Sequence, residues 1–471
     1  MSLIQSTLSQ FFLQYPKLPI VVAYSGGIDS QVLLHALAQL KQQQKLNNSL
    51  SVCHVNHGIS EFANDWQEAA QQLCHTLSIP LIVCNVEIKP LAQHSLEALA
   101  REARYKALSE TSPANALIVT GHHSDDQSET FLLALKRGAG LKGLSAMVPV
   151  STLINALSEP TSEKKSDQKL VRPLLVITRN EIENYAKTHQ LTWVEDESNQ
   201  DNRFDRNFIR HKVMPLLTQR WPSILKTIQR SSEHCMEGQQ LLTELAVDDL
   251  AKCQCDEFSL SVTALSQLSL ARFNNLLRYF LTTQHCLMPS TQQLQQVFQQ
   301  LLAATDKTPE IKIGKRWLRR YKKRLYLTDD FKDVSHWQVT VNYENIADTS
   351  MNINLPDSLG SLSFSNNEDN RLKTPDQFHT ICTPSASQKV SIRFQHQNPR
   401  CLPDFRQHSR PLKKVLQELS IAPWQRKRIP YLYYDDTLVA VIGYFVCQQY
   451  VPQVEGNTWD VCWNTLSSTH S

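Results

Sequence analysis

The sequence predicts a doubly wound α/β domain with a parallel sheet, followed by a helical middle domain and a small α+β C-terminal domain. Two observations carry this. Four short, continuous apolar runs, 20–24 (IVVAY), 49–55 (SLSVCHV), 81–88 (LIVCNVEI) and 116–120 (ALIVT), alternate with segments of helical spacing. Strands that are apolar throughout and separated by helices imply a parallel sheet covered on both faces. In addition, polar motifs directly follow three of these runs, where open α/β sheets bind ligands.

Each element follows in order. The strand at 20–24 leads into helical spacing at 32–40. The strand at 49–55 leads into a helix over 63–77, and the strand at 81–88 into a helix over 96–109. The run 116–120 precedes a helix over 124–136. The polar stretch 158–169 (SEPTSEKKSDQK) has almost no apolar content and reads as a mobile surface loop. From about 221 to 304 the pattern is helical. A basic strand pair is expected over 310–327, then an acidic, Asn- and Ser-rich stretch of irregular or β-rich structure. Strand signals at 390–394 and 431–446 surround a basic helix at 411–419. At roughly 150 residues per domain, 471 residues suggest several domains. The expected boundaries are 1–217 for the α/β domain, 218–330 for a mostly helical domain, 331–385 for an acidic linker or irregular region and 386–471 for the C-terminal domain.

Composition narrows the class. With 41% hydrophobic and 20% charged residues, the chain reads as globular rather than disordered. No run approaches the ~18 apolar residues of a membrane span. The start, MSLIQSTLSQFFLQYPKL, lacks the basic and apolar regions of a secretory signal. The 11 cysteines are scattered with no C-x-x-C, which fits free thiols in a reducing cytoplasm.

The sharpest motif is Ser25-Gly26-Gly27-Ile28-Asp29-Ser30, between a strand and a helix. Glycines let backbone N–H groups approach a ligand closely, and a helix start favours an anion. The loop lacks the Lys of G-x-x-x-x-G-K-[ST], so it suits gripping pyrophosphate as a leaving group better than γ-phosphoryl transfer. The second motif, 121–130 (GHHSDDQSET), contains Ser124 and Gln127 in capping-box spacing, so a helix should start there. Asp126 and Glu129 then share one helix face. Two carboxylates beside a phosphate cradle are the hard oxygen ligands Mg²⁺ prefers. The third motif, His54-Val55-Asn56-His57-Gly58, closes the second strand. The fourth, 193–199 (WVEDESN) followed by 205–210 (DRNFIR), mixes acids with guanidiniums that could stabilise negative charge.

The SGGIDS loop resembles the pyrophosphate (PP) loop of the N-type ATP pyrophosphatases. Joined to HVNHG, GHHSDDQSETFLLALKRGAGLKGLSAM, RPLL…RNEI and WVEDESNQD…DRNFIR, it resembles the tRNA(Ile)-lysidine synthetase family in its long, multi-domain form. The likeness is dense over 18–217 and thinner through to RPLKKVLQELSIAPWQRKRIPYLYYDDTLVAVIGYFV. It implies a PP-loop fold and an AMP-forming C–N ligase. ATP would adenylate O2 of the wobble cytidine in an isoleucine tRNA with a CAU anticodon. Free L-lysine would then displace AMP. By the same resemblance Ser25, Gly26, Gly27, Ile28, Asp29 and Ser30 would hold ATP, and Asp29 and Asp126 would hold Mg²⁺. Asp29, Asp126, Glu129 and Arg206 would form the catalytic set. Roles for His57, His122 and His123 are inferred from position, with His57 and His122 placed at the nucleotide, and either Glu129 or a His could accept the amine proton. The acidic run 195–197 is a candidate for holding lysine. Many relatives carry Arg where Ser60 stands.

Basic patches fit a tRNA partner. The stretch 312–324 holds eight basic residues and no acidic one, interleaved with Trp317 and Tyr321. Lys315, Arg316, Arg319, Arg320, Lys323 and Arg324 are expected phosphate contacts, joined by Lys413 and Lys414. A homodimer is an open alternative to a monomer. The competing readings are a tRNA cytidine thiolase, an amidotransferase-type ligase and a non-catalytic RNA-binding protein with a degenerate nucleotide pocket. The thiolase normally needs cluster-binding cysteines, and the binding protein would not need intact Asp29, Asp126 and Glu129.

Overall fold

The computed structural model describes all residues except 59, 61, 89–95, 154–166, 196, 302–308, 342–350, 366–377, 386, 454–457 and 466–471. Most of the polar loop expected at 158–169 therefore lies outside the described residues. The chain divides into two compact units, Met1–Leu242 and Thr243–Ser471. Among the described residues no helix is long and apolar enough to cross a membrane.

The first unit is built on a six-stranded sheet. Its strands are β1 (Ile20–Tyr24), β2 (Leu50–Asn56), β3 (Leu81–Asn85), β4 (Leu117–Val119), β5 (Val150–Thr152) and β6 (Lys169–Val171), in spatial order β3-β2-β1-β4-β6-β5. The first five in that order run parallel, and β5 returns antiparallel to β6. The helices are α1 (Leu3–Phe12), α2 (Ile28–Gln42), α3 (Ala63–Thr76), α4 (Leu96–Thr111), α5 (Ser124–Lys136), α6 (Leu141–Leu144) and α7 (Arg179–Thr188).

Alternation along β1 shows why the sheet is covered twice. Ile20, Val22 and Tyr24 enter a core with Leu8 of α1, Leu33, Leu34 and Leu37 of α2, and Ile182 and Tyr185 of α7. Val21 enters a second core with Tyr105 and Leu108 of α4 and Ile118 of β4. A side-chain period of two sends neighbours to opposite faces, and both faces are apolar. The strand order reverses between β1 and β4, so a crevice opens where their carboxyl ends diverge.

In the second unit the expected basic strand pair is present as three antiparallel strands, Glu310–Ile313, Arg316–Tyr321 and Arg324–Asp329. The helices Leu270–Thr283 and Thr291–Leu301 supply Phe273, Leu277, Phe280 and Leu294 to the core with Leu318 and Leu325. The stretch 331–385, expected as an acidic linker of irregular or β-rich structure, is β-structured in much of its described part. Met351–Asn354, Ser361–Ser365 and Phe378–Cys382 form a four-stranded sheet with Thr458–Asn464. Leu362 and Phe364 alternate with serines, and this period-two pattern buries them beside Trp459 and Trp463. The acidic and Asn-rich composition masks that short alternation. A second sheet joins Gln338–Val341, Val390–Arg393, Tyr431–Tyr434, Thr437–Val441 and Phe445–Val446. The basic helix expected at 411–419 is Leu412–Glu418.

Candidate active site

The loop between β1 and α2 is closed by Ser30. Its Oγ accepts the Ser25 N–H at 3.3 Å and the Ser25 hydroxyl at 3.2 Å, and donates to Gly27 O at 2.9 Å. Gly26 takes φ +86°, a left-handed conformation that favours glycine. Gly27 caps α2 without a side chain, so the helix N–H groups stay uncovered toward an anion. The second loop, after β4, touches the first at Gly121. A Cβ there would lie 2.9 Å from both C and O of Asp29, so only glycine permits this approach.

The start of α5 differs from expectation. The cap is His123 rather than Ser124. In its neutral form His123 accepts the Asp125 N–H at Nδ1, 3.3 Å away, and Asp126 Oδ2 accepts the His123 N–H at 3.1 Å. The Gln127 amide instead holds the 145–147 turn, donating to Met147 O and accepting its N–H, each at 2.9 Å. One carboxylate oxygen of Asp126 is thus fixed by its own helix start, and the other is left for partners from outside the helix.

Asp126 and Glu129 share a helix face as expected, and two guanidiniums bridge them. Arg206, in the short helix α8 (Asp205–Phe208), places Nη2 3.0 Å from Asp126 Oδ1 and Nε 2.8 Å from Glu129 Oε2. Arg210, in the π-helical turn Ile209–Val213, places Nη2 3.1 Å from Asp126 Oδ1 and Nε 2.6 Å from Glu129 Oε1. Glu129 is almost fully buried. Burial alone would raise the Asp126 carboxyl, but the cationic neighbours His123 and Arg206 outweigh it and hold it at about 2.

Asp29 lies in the first turn of α2 and joins the same centre. Arg179 Nη1 donates to its Oδ1 at 2.9 Å, and His123 Nε2 lies 3.6 Å from that oxygen and 3.4 Å from Asp126 Oδ2. Burial raises the Asp29 carboxyl despite the opposing pull of His123 and Arg179. Burial would lower the His123 imidazole, but Asp125, Asp126 and Asp29 together hold it above its ordinary value. Arg179 is itself placed by the capping box of α7, in which Thr178 and Glu181 bond reciprocally. Asp29 and Asp126 supply hard oxygens on either side of one imidazole. Carboxylate oxygens are the donors Mg²⁺ takes, but those named here are held by Arg179, Arg206, Arg210 and His123, so an ion would replace these contacts and take water and phosphate oxygens as its remaining ligands.

The histidines divide. His54 Nδ1 donates to Tyr24 O at 3.1 Å and ties β2 to the strand end that launches the phosphate loop. His57 meets Arg104 of α4, with Arg104 Nε 3.4 Å from its Nε2, and burial followed by Arg104 pushes it down to about 4. His122 Nδ1 pairs with Thr120 Oγ1 at 2.8 Å, and burial pushes this imidazole down to about 3, so it is neutral at neutral pH. Asp196, within the acidic run 195–197, lies outside the described residues.

Sequence reasoning missed three members of the centre, Arg179, Arg210 and the cap role of His123. The signal for Arg210 was its spacing of four from Arg206, which puts both on one helix face. Arg179 bonds Asp29 across 150 residues; it is the Arg of the RNEI motif, whose spacing from Asp29 gives no sign of the contact.

The basic strand of the second unit corrects part of the tRNA expectation. Arg319 and Arg320 are buried. Arg320 Nη1 donates to Leu301 O at 2.9 Å and to Gln300 O at 3.2 Å, closing a helix C-terminus. Arg319 Nη1 donates to Thr328 Oγ1 at 2.5 Å, and its guanidinium lies among the Trp317, Phe331 and Trp424 rings. Both faces of this strand are covered, so alternation did not expose its cations. Arg316 and Arg324 pair with Asp329 and Asp256. Lys315, Lys323, Lys413 and Lys414 are exposed.

Residues 1–217 match the model of the PP-loop domain, 260–326 that of the TilS substrate binding domain, and 390–463 that of the TilS substrate C-terminal domain. The chain is 41% identical over 446 residues to a protein of Histophilus somni (strain 129Pt) named tRNA(Ile)-lysidine synthase, covering 94% of this chain and 98% of that one. It is 40% identical over 447 residues to the protein of the same name from Serratia proteamaculans (strain 568), covering 94% and 95%.

Proposed function

The chain belongs to the tRNA(Ile)-lysidine synthase family, and on that premise we propose that it joins free L-lysine to C2 of the wobble cytidine in a CAU-anticodon isoleucine tRNA. The reaction consumes ATP and has two steps. Cytidine O2 first attacks the α-phosphorus, and pyrophosphate leaves. The ε-amine of lysine then attacks C2, the C2–O bond breaks, and AMP departs. The amine loses its proton to a nearby base.

One observation carries the reading. The phosphate loop and the Asp126–Glu129 carboxylates converge at the carboxyl ends of neighbouring parallel strands, joined at Gly121 and through His123, which lies between Asp29 and Asp126. The loop hydroxyls and the N–H groups at the start of α2 suit the pyrophosphate that must leave. Mg²⁺ at Asp29 and Asp126 would neutralise phosphate charge when bound. Arg206 and Arg210, paired here with Asp126 and Glu129, would supply positive charge to the developing phosphoryl group. Glu129 accepts N–H groups from both guanidiniums, an arrangement that holds it as an anchor rather than as the base for the amine.

The test is incorporation of labelled lysine into an unmodified CAU isoleucine tRNA, with ATP, Mg²⁺ and a methionine tRNA control. Label in the isoleucine tRNA alone is expected. Absence of label with ATP bound would overturn the assignment.

A further inference from the structure

Phe204 and Phe208 are large apolar side chains left 47% and 49% exposed. They flank one helical turn, in which Phe208 N–H donates to Phe204 O at 2.9 Å, so they sit on one side of α8. Two of the three residues between them turn the other way. Arg206 reaches Asp126 and Glu129, and Asn207 is buried with Nδ2 3.0 Å from Asp201 O. One short helix therefore shows a charged face to the reacting centre and an aromatic face to solvent.

A basic turn adjoins the same short helix at Asp205. Lys136, at the end of α5, bonds Asp205 of α8 at 2.6 Å. Arg137 and Lys142 follow it, and all three cations are exposed. The turn between α5 and α6 contains Gly138 and Gly140. Gly138 has φ +67°, which explains its identity. Gly140 has φ −77°, and a Cβ there would meet nothing within 4 Å. The fold does not require glycine at 140. Bare backbone between cations leaves room for a phosphodiester chain to approach closely.

We propose that this surface seats the nucleotides flanking the target base. Phe204 and Phe208 stack nucleobases, and Lys136, Arg137 and Lys142, with Gly140 between them, take the phosphates. Exposed aromatics beside cations are the means by which single-stranded loops are held without reading their sequence. The proposal rests on an RNA being the substrate. It deepens that reading by naming where the unpaired loop lies, one helix face away from Arg206.

The experiment uses the full chain and a labelled, unmodified isoleucine tRNA, with direct binding measured beside lysine transfer. The F204L/F208L double variant keeps apolar bulk and loses the π-faces. Its RNA affinity is expected to fall at least about tenfold, with ATP affinity unchanged. F204Y/F208Y is expected to stay within about twofold of the parent. Gly140→Asp is expected to melt as the parent does, since its side chain enters open space, and to bind RNA about tenfold more weakly. The proposal is overturned if F204L/F208L binds RNA like the parent, or if the Leu and Tyr pairs lose affinity equally. A parent chain that binds this tRNA through the two Phe residues yet transfers no lysine would sink the reaction while leaving the surface in place. Lysine transfer by the parent with no effect of the variants would sink the surface alone.

Discussion

Arg210 Nε lies 2.6 Å from Glu129 Oε1, and its Nη2 lies 2.9 Å from the other carboxylate oxygen, a two-pronged pair across 81 residues. Glu129 is 1% exposed, so its charge depends on this fork and on Arg206. A lysine at 210 brings one point charge and cannot span both oxygens. Arg210→Lys is therefore expected to lower lysine transfer by about 10²-fold. Stability should fall by about 2 kcal/mol, less than for a fully buried pair because Arg210 is partly exposed. Single-turnover kinetics and urea unfolding read the two effects. Parent-like activity would show that Arg206 alone holds the centre.

The two glycines at the loop junction separate folding from ligand binding. Gly121→Ala drives a Cβ to 2.9 Å from the Asp29 backbone, so the loops must part. It should cost about 1–3 kcal/mol and abolish ATP binding. Gly27 has φ −72°, and a Cβ there meets only Ser25 Oγ at 3.7 Å. Gly27→Ala should melt like the parent, yet bind ATP at least about tenfold more weakly because its methyl enters the anion cradle. Calorimetric titration with ATP beside thermal melts makes the comparison. Equal effects at both positions would mean the cradle is not formed by the α2 start.

What could be read from residues alone follows the range of the interactions. The phosphate loop, the Asp126–Glu129 face and the parallel sheet have short-range signatures in strand runs, glycines and helical spacing. Arg179 on Asp29 depends on packing α7 against α2, which no local pattern encodes. The cap of α5 went to His123 because a ring nitrogen can accept the Asp125 N–H, a role that usual cap preferences assign to Ser. Arg319 and Arg320 were misread because a basic strand can be covered on both faces when carbonyls and rings receive its cations.

The pH dependence of stability has a definite sign. His122 takes a proton near 6.5 in the unfolded chain and only near about 3 in the folded one. Between these values the unfolded state binds more protons, so stability rises with pH and is lost on acidification. Asp126 acts in the same direction lower down. Its contribution is present above ~3.9 and disappears as pH falls through about 2. His123 has the opposite sign. Raised in the folded state, it stabilises below ~6.5 and loses that contribution as pH climbs through its folded value. His122→Gln should flatten the unfolding free energy between pH 6.5 and 4 while leaving the steeper loss near pH 3. Urea midpoints across that range measure it, and an unchanged slope would place the titration elsewhere.

The basic strand of the second unit should behave as two populations. Arg320 closes the helix Thr291–Leu301 by donating to its last carbonyls, and Arg319 is packed among three rings. Removing either leaves buried acceptors or a void, so Arg320→Ala is expected to cost about 1–3 kcal/mol. Any loss of RNA binding it causes should track the loss of folded protein. Lys315, Lys323, Lys413 and Lys414 stand in solvent and can meet phosphates directly. Lys323→Glu should leave the melting temperature within about a degree, weaken tRNA binding severalfold and reduce the salt dependence of binding by about one ion. Melting curves and binding at two or more salt concentrations separate the cases. If Lys323→Glu leaves the salt slope unchanged, this hairpin turn does not touch the RNA, and its exposed lysines serve solubility alone.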